Sequence, residues 1–72
     1  MGTKNNPGTY DCYAKAEPDE PIFILLGRDI GAPVLVEKWA EQAERVGGDP
    51  EKIAEARKCA ADMRAWRREH RS

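Results

Sequence analysis

Apolar positions along the chain fall into separate blocks divided by glycine, proline and acidic residues. Two of the blocks repeat with a helical period. Val36, Trp39, Ala40, Ala43 and Val46 recur at i, i+3, i+4, i+7 and i+10, while Glu37, Lys38, Glu41, Glu44 and Arg45 fill the other side. That spacing lays an apolar stripe along one face of an α-helix. Gly47-Gly48 stops it. Asp49-Pro50-Glu51 then supplies an N-cap, a proline at the first helical position and an acid in the first turn. Ile53, Ala56, Ala60 and Met63 form the second stripe, with Cys59 and Trp66 on its flank. Arg64, Arg67, Arg68 and Arg71 collect at its far end, where positive charge complements the helix dipole. Two glycines and a cap suit antiparallel neighbours, and alanines on both stripes allow close approach. The expected fold class is mainly α, an antiparallel helical hairpin over about 30–46 and 50–70.

The hairpin is entered through Arg28-Asp29-Ile30-Gly31-Ala32-Pro33, in which Asp29 is a candidate N-cap and Pro33 a rival start signal. Before it runs Ile22-Phe23-Ile24-Leu25-Leu26, closed by Gly27. β-Branched and aromatic residues favour a strand here, although Ile22, Leu25 and Leu26 also fit helical spacing. The segment over about 21–26 is expected to be extended, apolar on both faces and buried on both sides. A lone strand leaves backbone donors and acceptors unpaired, and the same strand from a second copy is the nearest remedy. Residues 1–20 read as a flexible N-terminal segment, and 21–72 as one small domain. Thr9 is placed to cap a short helix through Lys15, with Tyr10, Tyr13 and Ala14 on one face. Glu17-Pro18-Asp19-Glu20-Pro21 breaks any helix there.

A hairpin has one seam, and Trp39, Met63, Trp66 and the Ile22–Leu26 run exceed what one seam hides. The fold is therefore expected to be completed by homo-oligomerisation, with Tyr13, Phe23, Leu25, Trp39 and Trp66 as interface candidates. Size points the same way, since a domain of 72 residues draws only about 3–5 kcal/mol from its core. Twelve basic and thirteen acidic side chains nearly cancel. Residues 1–48 carry five basic and eight acidic groups, net −3, and residues 49–72 carry seven and five, net +2. This falls far short of a nucleic-acid footprint. The longest apolar run is much shorter than a membrane span, and no charged-then-apolar leader opens the chain. Met1-Gly2 starts like a myristoylation signal, but Asn6 stands where that motif wants Ser or Thr. The expected location is the cytoplasm, which disfavours a disulfide between Cys12 and Cys59. Two cysteines and one histidine do not complete a structural zinc site, so no metal is expected.

Nucleophilic catalysis finds few residues to run it. The one serine is Ser72 and the one histidine His70, so a serine or cysteine constellation lacks its parts. Asp19, Glu20 and Asp29 fit either an acid–base pair or, more simply, caps and turns. No catalytic residue, no cofactor and no enzymatic activity are expected, and both Gly-rich phosphate-loop patterns are absent. Two places suit ligands. Arg28 and Asp29 lie between the apolar run and a helix start, where arginine and free N–H groups hold phosphate or carboxylate; alternatively Arg28 pairs with Asp29, Glu20 or Asp19. Arg64, Arg67 and Arg68 surround Trp66, an arrangement that binds phosphates or stacks on a base; alternatively it is a solvated helix end. Tyr10 and Tyr13 either pack on the hairpin or close over a partner.

The stretch from Asp19-Glu20-Pro21 through Phe23, Leu25 and Arg28-Asp29 forms a D-E-P-x-F-x-L-x-x-R-D core. It precedes Ala32-Pro33, Val36 and Trp39-Ala40, an A-P-x-x-V-x-x-W-A helix. Together with Lys52-Ile53-Ala54-Glu55-Ala56 this resembles a family of small phage and prophage proteins, over about residues 17–66. The resemblance carries no functional residues. It implies a phage accessory protein in a bacterial cytoplasm, acting by stoichiometric binding to a host protein, for instance as an inhibitor of host defence. The alternative expectation is an oligomeric sponge for a nucleotide or other phosphorylated ligand. A third is weak nucleic-acid binding through the basic C-terminal helix.

Overall fold

The structure is a computed structural model, and it describes residues 1–70; Arg71, grouped above with the basic helix end, and Ser72 lie outside the described residues. The protein is mainly helical, with no strand among the described residues. Three helices follow in order: α1 (Cys12–Lys15), α2 (Ala32–Arg45) and α3 (Pro50–Glu69). α2 and α3 pack against each other as the expected hairpin.

The turn between them was legible in the sequence. Asp49 caps α3, its Oδ1 accepting from the Glu51 N–H at 3.0 Å, and Pro50 takes the first helical position. At the end of α2 the Gly48 N–H donates to Ala43 O at 2.8 Å and the Gly47 N–H to Glu44 O at 3.2 Å. This double closure is a Schellman motif, which requires a left-handed residue after the cap. Gly47 supplies it at φ 75°.

The start of α2 differs from expectation. The helix begins at Ala32, with Gly31 at the N-cap and Pro33 in the first turn. Asp29 does not cap it, because its Oδ2 already accepts from the Leu26 N–H at 2.8 Å, closing a tight turn in front of the helix. α1 likewise starts at Cys12 rather than after Thr9, since Asp11 Oδ1 accepts from the Ala14 N–H at 3.2 Å and caps it.

The core is narrow. Ala32, Ala40, Ala56 and Ala60 are fully buried and Ile53 nearly so, and among the described residues no large side chain is completely enclosed. Val36, Ala43 and Met1 pack around the Ala40–Ile53–Ala56 cluster. On one flank two ion pairs join the helices, Arg57 to Glu44 at 3.0 Å and Arg64 to Glu37. On the other flank lies the N-terminal segment, read above as flexible. Thr9 and Tyr10 donate their backbone N–H groups to Glu55 Oε1 and Oε2 at 2.7 and 2.9 Å. The Tyr10 hydroxyl donates to Asp49 Oδ2 at 3.0 Å. Gly8 lies so close that a Cβ there would overlap the Glu55 carboxylate.

The Ile22–Leu26 run is neither strand nor helix, and it is not buried on both sides. Ile22, Phe23, Ile24 and Leu26 are exposed and only Leu25 is half-buried. An alanine seam brings the helix axes too close together to admit the run between them.

Ile53 is the one bulky group in the seam. Ile53→Ala should cost about 3 kcal/mol, read as a lower urea midpoint with an unchanged slope. Gly47→Ala should cost about 1 kcal/mol from the left-handed backbone alone, because nothing lies within 4 Å of the added Cβ.

Candidate functional site

Where the N-terminal segment, the turn before α2 and the far half of α3 meet, they enclose an open groove of about 590 Å³. Its volume falls within the usual span of small-molecule pockets, about 300–1,000 Å³. Cys59, Met63 and Trp66 of α3 form an apolar floor, Leu25 and Leu26 one wall, and Gly2, Thr3 and Lys4 the other. Charged side chains also line it: Lys4, Arg28, and Asp62 and Glu69 along α3. Lys58 reaches Asp62 at 3.0 Å, whereas neither Lys4 nor Arg28 joins an ion pair among the described residues. Gly27 lies over Met63 and the Trp66 ring, and a Cβ there would stand 3.8 Å from each, in ordinary van der Waals contact.

The sequence-derived candidates separate. Arg28 is exposed and on the groove wall, paired with none of the acids considered for it. Asp29 is a turn-former. Its side chain holds Leu26, its N–H donates to Leu26 O at 2.9 Å, and its carbonyl accepts from the Ala32 N–H at 3.1 Å. Arg67 reaches that carbonyl distantly, at 3.5 Å. Arg64 forms a two-pronged pair with Glu37, with Nη2 at 2.8 Å from Oε1. At about 100° per residue, Arg64 and Trp66 point to nearly opposite sides of α3, so Arg64 stays away from the groove. Arg68 is exposed. The four arginines therefore do not converge on one point.

The aromatic and apolar candidates are mostly open to solvent. Phe23 and Tyr13 are exposed, Trp39 and Trp66 are partly so, and Leu25 is half-buried in the groove wall. The Trp66 ring stacks on His70 at 4.0 Å between centroids. Lys52 sits 5.7 Å from the Trp39 ring centroid, a cation–π distance. Tyr10 packs on the hairpin, with Lys15 over its ring at 5.7 Å.

Sequence reasoning missed Glu55, Glu37 and the Gly2–Lys4 wall. Glu55 binds main chain 45 and 46 positions away, a separation with no local pattern to betray it. Glu37 and Arg64 lie on different helices, and only the hairpin register aligns them.

Two further points bear on chemistry. Burial pushes the Cys59 thiol above its ordinary value, so its reactive thiolate is scarce. The Asp49 hydrogen bond raises the Tyr10 hydroxyl. Among the described residues no cluster of His, Cys, Asp and Glu is arranged to hold a metal ion, and no helix is long and apolar enough to cross a membrane. No protein-family model, curated protein or solved structure matches the chain.

The carboxylates of the helix pairs set a pH dependence. Hydrogen bonding to Arg64 holds Glu37 below its ordinary value, Arg57 does the same for Glu44, and the Glu51 N–H followed by the Tyr10 hydroxyl lowers Asp49. A group whose value is depressed by folding adds stability above its unfolded value, and that stability is lost as pH falls through the folded one. Acid titration followed by helical circular dichroism should show stability falling below pH 4.5, the ordinary glutamate value. The double change Glu37→Gln and Glu44→Gln should lower stability at neutral pH and flatten this acid limb.

Proposed function

We propose that the protein is a non-enzymatic binding protein that acts stoichiometrically on a host protein, as a phage accessory factor directed at host defence. One observation carries the reading. α2 has a second apolar stripe that its packing on α3 leaves open. Leu35, Trp39 and Val46, with Gln42 between the last two, are spaced four, three and four residues apart. That is the spacing of a seam built to receive another helix. Leu35, Trp39 and Val46 are 50%, 45% and 72% exposed, while Val36, Ala40 and Ala43 face α3. Tryptophan is among the residues enriched at the energetic centres of protein interfaces. The target is a protein offering an apolar helix face or groove. The resemblance to small phage proteins supports the setting, and the sparse nucleophile inventory favours binding over turnover.

The test is expression in bacterial strains that each carry one defence system, scored by phage plating. The intact chain should restore plaques in at least one strain, with inhibition saturating near one copy per target. Trp39→Asp should abolish that rescue while keeping the helical circular dichroism signal. Rescue by Trp39→Asp equal to that of the unaltered chain, or by amounts far below one copy per target, would overturn the proposal.

A further inference from the structure

We infer that the protein pairs with a second copy of itself through Ile22–Leu26, flanked by Glu20 and Arg28, the two segments running antiparallel about a two-fold axis at Ile24. Four observations meet there. The chain from Pro21 to Leu26 takes neither helix nor turn, ahead of the turn closed between Leu26 and Asp29. Ile22, Phe23, Ile24 and Leu25 make no backbone–backbone hydrogen bond among the described residues. Their main chain is thus a free edge, a template for another strand.

Charge narrows the register. With Ile24 facing the partner's Ile24, Phe23 faces the partner's Leu25 and Ile22 the partner's Leu26. Glu20 then meets the partner's Arg28. Arg28 joins no ion pair in its own protomer, and Glu20 holds only the nearby Glu17 N–H. Shifting the register by one residue at the Arg28 end sets Glu20 against the partner's Asp29, a like-charge contact, whereas the opposite shift sets Asp19 against the partner's Arg28 and keeps unlike charges together. Phe23, 86% exposed, covers the Leu25 wall of the partner's groove.

Area supplies the fourth argument. A folded monomer of 8.1 kDa presents about 4,500 Å² of accessible surface by the usual scaling, and this one presents 5869 Å². The excess exceeds one protomer's share of a standard interface, about 800 Å². The pairing does not involve the α2 stripe proposed to receive the target, so Trp39→Asp should leave the dimer intact and the two readings fail separately.

Sedimentation from micromolar to near-millimolar concentration should show a monomer–dimer equilibrium. Phe23→Asp should abolish the dimer without loss of helicity. Glu20→Arg and Arg28→Glu should each weaken it about tenfold, from two like-charge contacts per dimer, and the double variant should restore it. In a Cys12→Ser, Cys59→Ala background, Ile24→Cys should oxidise to a covalent dimer, because facing antiparallel residues lie about 4.5–5.5 Å apart, within disulfide reach. Phe23→Cys should cross-link more slowly. A lone monomer at the highest concentration, absence of rescue in the double charge variant, or faster cross-linking at Phe23→Cys than at Ile24→Cys would overturn the pairing.

Discussion

A seam of alanines governs this molecule. Ala40, Ala56 and Ala60 are fully enclosed where α2 meets α3, with Ile53 as the one larger group. Small side chains let two helices approach closely, and a close approach leaves little volume between them. The bulky residues of both helices then have nowhere inside to go. Trp39 and Trp66 end at the edges of the seam, and the Ile22–Leu26 run crosses outside it. The exposed apolar surface follows directly from the choice of core residues.

The same constraint divides the hairpin into two unlike flanks. One is joined by Glu37–Arg64 and Glu44–Arg57, pairs half open to water, which fix register more than they add stability. The other has no helix-to-helix ion pair among the described residues and is covered by the N-terminal segment, whose main chain and terminal ammonium meet the Glu55 carboxylate. The groove over Met63 and Trp66 forms on this second flank, at the end of that cover. Its position is set by Asp29, which bends the chain at Leu26–Gly27 and so brings Arg28 to the rim.

What could be read from the sequence was what local chemistry determines. The Asp49-Pro50 start, the Gly47 stop and the Val36, Ala40, Ala43 and Ile53, Ala56, Ala60 stripes appear in the structure as read. Trp39 shows where periodicity loses resolution. It shares the stripe by spacing, yet at about 100° per residue it stands at the stripe's margin, and its size keeps it partly in water. Asp29 shows a contest between two local roles. The Asp29 carboxylate is engaged in closing the preceding turn, so the helix begins two residues later than expected, at Ala32, with Gly31 as its cap. The docking of Thr9 and Tyr10 on Glu55 was illegible for another reason: long-range main-chain contacts leave no period. The arginines illustrate the limit for sites. Composition grouped Arg64, Arg67 and Arg68, but helix rotation and the partners Glu37 and Asp29 spread them over different faces.

A chain built in this way separates fold from recognition unusually well. In a domain with a large aromatic core, the residues that bind and those that stabilise overlap, and each change alters both. Here Ile53 and the alanines hold the hairpin, while Phe23, Leu35 and Trp39 project away from it. Replacing Ile53 removes part of a core that is small for any domain of this length. Replacing Phe23 removes surface that packs on little within the protomer. Association then contributes stability by mass action, in proportion to how much of that surface a second copy or a target covers. The physical logic is that of a protein whose own interior is barely sufficient and whose outer apolar faces are where binding energy is available.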